Sequence, residues 1–291
     1  PNGIIVGFDA DSKCDPDYFE AIWAHFSRHP KSPAASIYFE HPLLGVDFEE
    51  GVYRAIVWYE LHLRYYIDAQ KWAGFPFATQ TIGSSLAVRC RDYQAQGGMN
   101  RRKAGEDFYF LHKFTPLGHF GEITETRVIP SPRPSHRVPF GTGRAVQAAL
   151  RQNGEWETYA PESFRDLRHF FDRVPDFFEA SKSASGAILS TLPEPVQLFL
   201  ESNKFNVKLA EIQSNTRQRC AFTNRFFKWM NAFMVMKFLH FSRDNYYPNV
   251  PVSEAARWLL SEAGMANPIP EDPAGLLAIY REKDRRKYAW R

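Results

Sequence analysis

Short apolar runs alternate with helical stretches over the first half of the chain, whereas helical spacing dominates the second half. Ile4 to Phe8 is an apolar run with β-branched residues that stops at Asp9 and Asp11, the pattern of a buried strand ending in an acidic loop. Asp15 then stands as a helix N-cap, Pro16 fits the first turn, and Asp17 and Glu20 suit its positive end. The spacing predicts a helix from Pro16 to about Phe26, with Phe19, Ile22, Trp23 and Phe26 on one face. Ala35–Phe39 reads as a second strand. Phe48 to Trp72 reads as a long helix, aromatic on more than one face through Trp58, Tyr59, Tyr65 and Tyr66. Ile82 to Arg89 reads as a further strand, with Gly83, Ser84 and Ser85 small enough for close approach to the backbone. A turn at Gly97-Gly98 and a helix opened by Glu106 and Asp107 follow.

From Arg144 onward, helical periodicity covers 145–150, 161–171, 193–200, 204–241, 253–262 and 272–285, with Ser253 and Asp272 available as caps. The expected organisation is an α/β unit over 1–143 and an all-helical unit over 144–291. The most apolar stretch is 222–241, interrupted by Lys228, Asn231, Lys237 and His240. It reads as the central helix of the helical unit, as an interfacial helix for peripheral membrane contact, or as a protein–protein surface.

Composition narrows the function classes. Hydrophobic residues make up 44% of the 291, ample for a packed core, and the net charge of +3 creates no bulk field that asks for nucleic acid. Three scattered cysteines without Cys-x-x-Cys spacing argue against a disulfide scaffold and fit a reducing, cytoplasmic compartment. No apolar run reaches the length of a membrane-spanning helix.

The candidate chemistry is acidic. Asp9 and Asp11, two residues apart at a strand end, repel each other unless a cation sits between them, and hard divalent cations take oxygen ligands. Glu106 and Asp107 open a later helix, where a carboxylate is favoured whatever else it does. Arg101-Arg102-Lys103 precedes them as a basic cluster able to contact phosphates. Arg133, His136 and Arg137 crowd a proline-rich loop and are candidates for phosphate or metal contact. His112 reads as a surface or packed helix histidine rather than a ligand.

The order of these motifs resembles the catalytic core of the family 2 glycosyltransferases: Asp-x-Asp at a strand end, a small-residue strand ending in Val88-Arg89, a Gly-Gly turn, then Glu106-Asp107. The stretch Ser131-Pro132-Arg133-Pro134-Ser135-His136-Arg137 through Gly143 is similar to a segment found in some bacterial members. The resemblance covers about Gly3 to Gly143. It implies a partial GT-A, Rossmann-like mixed sheet with flanking helices, with Mg²⁺ or Mn²⁺ on Asp9 and Asp11 (His136 a further candidate ligand). It also implies a nucleotide-diphosphate sugar donor contacted by Arg133 and Arg137, a saccharide or lipid-linked acceptor, and Asp107 as general base beside Glu106, with inversion. Family members place a strand, loop and helix for the base and ribose ahead of the Asp-x-Asp. That part is expected to be missing here, leaving the Ile4–Phe8 strand with an open edge prone to homo-oligomer formation. Two alternatives stay open. One is a haloacid-dehalogenase-like phosphohydrolase with Asp9 as nucleophile and Asp11 as acid, although Lys13 stands where that family has Thr or Val. The other is a non-catalytic helical interaction module.

Overall fold

The computed structural model describes residues 3–99, 105–135, 141–152, 156–265 and 268–287. The elements in chain order are β1 (Ile4–Gly7), β2 (Lys13–Cys14), α1 (Tyr18–Arg28), β3 (Ala34–Phe39), α2 (Glu50–Trp72), β4 (Leu86–Arg89), α3 (Cys90–Ala95) and α4 (Glu106–Leu111). After these come β5 (Gly121–Ile129), α5 (Thr142–Gln152), β6 (Glu157–Thr158), α6 (Pro161–Arg173), α7 (Lys182–Ser190), α8 (Glu194–Ser202) and α9 (Phe205–Ser214). The last are α10 (Arg219–Trp229), α11 (Ala232–Asn245), β7 (Val250–Pro251), α12 (Val252–Glu262) and α13 (Pro273–Arg286).

The molecule is mixed α/β, as the pattern of its first half leads one to expect. Five strands form one sheet in the order β1-β4-β3-β5-β2. Only β3 and β5 run parallel; β1 with β4, β3 with β4 and β2 with β5 are antiparallel. Every residue of β3 is buried, as a strand covered on both faces must be. Ile22 and Phe26 of α1, with Tyr18, pack on Ala35, Ile37, Phe39, Ile123 and Val128.

α2 is the axis of the structure. Its Val52, Ala55 and Ile56 pack on Val146 of α5. Its Leu61, Tyr65, Ala69 and Trp72 enter the largest core, built with Phe164, Phe170, Phe199, Phe226, Leu259 and Leu276 of the later helices. The helices beyond residue 143 therefore close on a helix that precedes it.

Several local expectations need correction. Asp15 does not cap α1: the cap position is Asp17, without a side-chain cap bond, and Asp15 instead pairs with Arg127 at 3.0 Å. Arg127 lies on β5, a strand the apolar pattern did not predict because Glu122, Thr124, Glu125 and Arg127 dilute its alternation. α1 does not bury one apolar face. Tyr18, Ile22 and Phe26 face the sheet, while Phe19 and Trp23 point to solvent. Ser253 lies inside α12, whereas Asp272 caps α13 as expected, accepting from the Gly275 N–H at 2.8 Å. The apolar 222–241 stretch is two helices, restarted at Asn231, whose side chain accepts from the Phe233 and Met234 N–H groups. Phe222, Phe226, Phe227, Met230, Phe238 and Leu239 face the core, leaving Phe233 as the large apolar side chain exposed in that stretch. No described helix is long and apolar enough to cross a membrane.

Candidate functional site

The site is built where β1 ends. A Cβ on Gly7 would sit 2.3 Å from the Gly83 carbonyl oxygen, so β1 and the turn before β4 touch backbone to backbone. That turn is closed by the Ser85 N–H donating to the Ile82 carbonyl at 2.9 Å, which delays the strand to Leu86. A Cβ on Gly83 would in turn sit 3.2 Å from Oδ2 of Asp107. The small residues before β4 are thus a seat for a carboxylate.

Asp107 is half-buried. The Phe108 N–H donates to its Oδ1 at 2.7 Å, and the Gly83 N–H also donates to the carboxylate. Burial nevertheless pushes its pKa above the usual carboxylate range, the Glu106 charge adds to the rise, and the backbone donors only partly offset them. A carboxylate raised in this way holds a proton more readily than an exposed one, which is the property a general base uses.

Asp9 and Asp11 share the turn that follows β1, closed by the Ser12 N–H donating to the Asp9 carbonyl at 3.0 Å. Asp11 pairs with Arg133 at 2.8 Å, both side chains about half exposed. The Arg133 loop is fastened to the start of α5 through the Ser135 N–H donating to the Gly143 carbonyl at 3.0 Å. Thr142, in the first turn of α5, hydrogen-bonds Tyr59 of α2. The Tyr59 hydroxyl is raised by burial and then by the Asp107 charge, so the two groups lie within electrostatic reach. Asp11 thus touches Arg133, Thr142 touches Tyr59, and Asp107 seats on Gly83 against Gly7, with the Asp107 charge felt at Tyr59. Sequence order alone scatters them over 135 positions between Gly7 and Thr142.

One face of α2 continues away from Tyr59 as an aromatic wall. Tyr59 and His62 stack at 6.3 Å, His62 and Tyr66 at 6.3 Å, and Trp156 meets both Tyr59 (5.6 Å) and His62 (5.9 Å). Burial lowers the His62 pKa to about 4, so its ring is neutral at physiological pH, with Nδ1 bonded to the Thr158 hydroxyl at 2.9 Å. Tyr65 turns the other way, fully buried against Phe164. The expectation that α2 is aromatic on two sides holds, and only the Tyr59–His62–Tyr66 side borders Asp107. His112 packs on Phe108 at 4.6 Å and is lowered by burial to about 4.

The donor set of Asp9 and Asp11 is chemically suited to Mg²⁺ or Mn²⁺. Both are hard carboxylates on one turn, and such cations keep waters and substrate phosphates in their remaining positions. Among the described residues no group of three or more His, Cys, Asp or Glu side chains could hold a metal by itself. His136 and Arg137, and the Arg101-Arg102-Lys103 cluster, lie outside the described residues. Thr142 and Trp156 escaped the sequence reading: Thr142 stands between two glycines with no chemical signal of its own, and a single tryptophan carries no spacing signal.

A separate cavity of about 450 Å³ lies between β3, β5, α2 and α13, lined by Asp68, Lys71, Glu122, Lys283 and Asp284. Lys71 bonds Glu122 at 3.2 Å and Lys283 bonds Asp68 at 2.7 Å, so these four charges are paired within the protein. Comparison with known proteins finds no matching family model, curated protein or solved structure.

Proposed function

We propose that this chain carries part of a metal-dependent site that transfers a sugar from a nucleotide-diphosphate donor to an acceptor hydroxyl with inversion. The observation that carries the reading is the Gly7–Gly83–Asp107 contact, which brings a half-buried carboxylate of raised pKa to the end of the strand that leads into Asp9 and Asp11. In this reading Asp107 accepts the proton of the acceptor hydroxyl as that oxygen bonds the anomeric carbon. The bond from the anomeric carbon to the diphosphate oxygen breaks on the opposite side, and its electron pair leaves with the nucleotide diphosphate. Asp9 and Asp11 would hold a cation that, when bound, would supply charge neutralisation for the diphosphate. Arg133, at 2.8 Å from Asp11, would be free to donate to a phosphate oxygen if a cation bound Asp11. Tyr59, Thr142 and the aromatic wall bound the acceptor side.

The test is Mn²⁺-dependent binding of nucleotide-diphosphate sugars, followed by calorimetry. Asp11→Asn should weaken that binding at least ~10-fold, since it removes one of two carboxylate ligands. Its thermal midpoint should stay within a degree or two, because an exposed pair with Arg133 contributes only about 0–1 kcal/mol. Binding that is the same with and without Mn²⁺, or unchanged by the substitution, removes the metal assignment.

A further inference from the structure

The strands that lead to Asp9 and Asp11 have an opposite end, and a second cavity lies there, independent of the reaction proposed above. β1, β3 and β5 run in one direction, because β4 is antiparallel to both β1 and β3 while β5 is parallel to β3. Asp9 and Asp11 follow the C-terminal end of β1. Where β3 and β5 begin, a cavity of about 470 Å³ opens between the close of α1, the turns before the two strands, and the residue that caps α13. Its charged and imidazole lining includes Arg28, His29, Lys31, His119, Glu125 and Lys287. Buried His25 forms part of the wall: a Cβ on Gly121 would sit 2.3 Å from its Nε2, and its ring lies 4.8 Å from that of His29. The His25 pKa is lowered to about 4, by burial first, then by His29, Lys287 and Arg28, with Glu125 opposing. Those groups therefore share one electrostatic space.

The charges of this cavity select its ligand. Among the described residues Arg28, Lys31 and Lys287 form no ion pair with a carboxylate, and the Arg28 guanidinium donates only through Nε, to the Ala24 carbonyl at 3.3 Å. The Phe26 and His29 carbonyls at the close of α1 are taken by Arg89, so they do not use up these cations. Glu122, also on the wall, is bonded to Lys71. Burial raises the Glu125 carboxyl, but backbone N–H donors, Lys287 and Arg28 outweigh it and hold it low. Three cations thus face one carboxylate, which leaves two positive charges without a counter-charge. His29 and His119 add ring N–H donors. Three non-glycine residues among those described have left-handed backbones, and two of them, His119 (φ 58°) and Lys287 (φ 54°), line this cavity. Such conformations gather at ligand clamps. We propose that the cavity binds a phosphate dianion, free or as a phosphomonoester, with Arg28, Lys31 and Lys287 as charged donors and His29 and His119 as neutral ones. A phosphomonoester carries about −1.5 to −2 at neutral pH, which matches the excess, whereas a carboxylate would leave one cation uncompensated. The volume falls within the range of small-molecule sites, about 300–1,000 Å³, and leaves room for an ester group beside the phosphate.

The full chain is titrated, without metal, with phenyl phosphate and with acetate, followed by calorimetry and by the ring signals of His29 and His119 in nuclear magnetic resonance. In a second arm it is sedimented with phosphatidylcholine vesicles, with and without phosphatidic acid. Saturable binding of phenyl phosphate is expected, about 10-fold or more tighter than that of acetate, with both ring signals moving. Arg28→Gln and Lys31→Gln should each weaken binding by up to about 5-fold, and Glu125→Gln should strengthen it by a similar factor. Arg219→Gln, on α10 and away from the cavity lining, should leave it unchanged. All four positions are exposed, so the melting curves should coincide with that of the parent. Binding of phenyl phosphate without vesicle binding assigns a soluble ligand. Sedimentation that needs phosphatidic acid and weakens in Arg28→Gln and Lys31→Gln assigns a lipid headgroup. The proposal is overturned if neither arm shows binding, which is also the result if the protein's own chain fills the cavity. Equal affinity for acetate, a loss in Arg219→Gln as large as in Arg28→Gln, or ring signals that stay fixed as phenyl phosphate binds would overturn it as well.

Discussion

Asp107 carries both the proposed reaction and a cost to the fold. Its raised pKa means that the folded protein holds this proton more tightly than the unfolded chain does. Stability associated with it is therefore present at low pH and falls as pH rises through the folded-state pKa. Asp107→Asn removes the charge and keeps the shape, so at neutral pH its thermal midpoint should equal or exceed that of the parent. Transfer should fall by about 10²–10⁴ when the base is lost, while donor affinity is kept. The rate of the parent should climb with pH as Asp107 ionises, with the midpoint of that limb above the ordinary value of about 4. The limb should be absent in Asp107→Asn. Parallel losses of affinity and rate, or an unaltered pH profile, would make Asp107 a structural residue.

At the scale of elements, α2 and α13 are tied by a buried ion network. Glu60 accepts from the His41 N–H at 2.8 Å, from Arg64 at 2.9 and 2.8 Å, and from Arg281 at 2.8 and 2.6 Å. Arg64, also fully buried, reaches Asp284 at 2.6 Å and the Phe39 carbonyl at 2.5 Å, so helix, sheet and final helix meet on one guanidinium. Burial alone would push the Glu60 carboxyl up, yet Arg64, His41 and Arg281 together hold it well below the usual range. A depressed acid contributes stability above its unfolded pKa and loses it as pH falls through the folded one. Acid should therefore loosen α13 from α2. Arg64→Met leaves Asp284 and Glu60 short of a partner and should cost about 3–5 kcal/mol, readable as a lower urea midpoint at neutral pH. A loss under 1 kcal/mol would mean that Arg281 and Lys283 suffice. This network was not legible in the sequence. Glu60 and Arg64 are an ordinary i, i+4 pair on paper, and nothing local tells that α13 will cover them. What was legible follows from short-range pattern: the length of α2 from its apolar spacing, β3 from a bounded apolar run, and the Asp272 cap. The carboxylates of the candidate site were visible as strand-end and helix-start motifs. The approach of Asp107 to the end of β1 was not, because it depends on Gly7 lying against Gly83, a contact between residues 76 positions apart.

At the scale of the whole molecule, composition and periodicity suggest two units meeting near residue 143, and the packing ties the two halves to one helix. Leu63 of α2 packs against the sheet core, its Val52 and Ile56 against α5, and its Leu61, Tyr65 and Trp72 against the helices after residue 160. Removing the second half would strip α2 of most of its apolar cover, and removing the first would leave the later helices without α2. The core of the later helices includes this helix, the sheet core takes Leu63 from it, and only the small cluster of Ala34, Leu86, Val88 and Phe110 is built without it among the described residues. The full chain should therefore unfold in urea as a single transition. Probes weighted to the two halves should report the same midpoint: near-ultraviolet signal from Trp156, Trp229 and Trp258, and amide exchange in β3 and β4. The calorimetric and van't Hoff enthalpies should agree. Two separated midpoints, with β3 and β4 still protected after the tryptophan signal is lost, would show that the sheet stands alone and that α2 is shared in contact but not in stability.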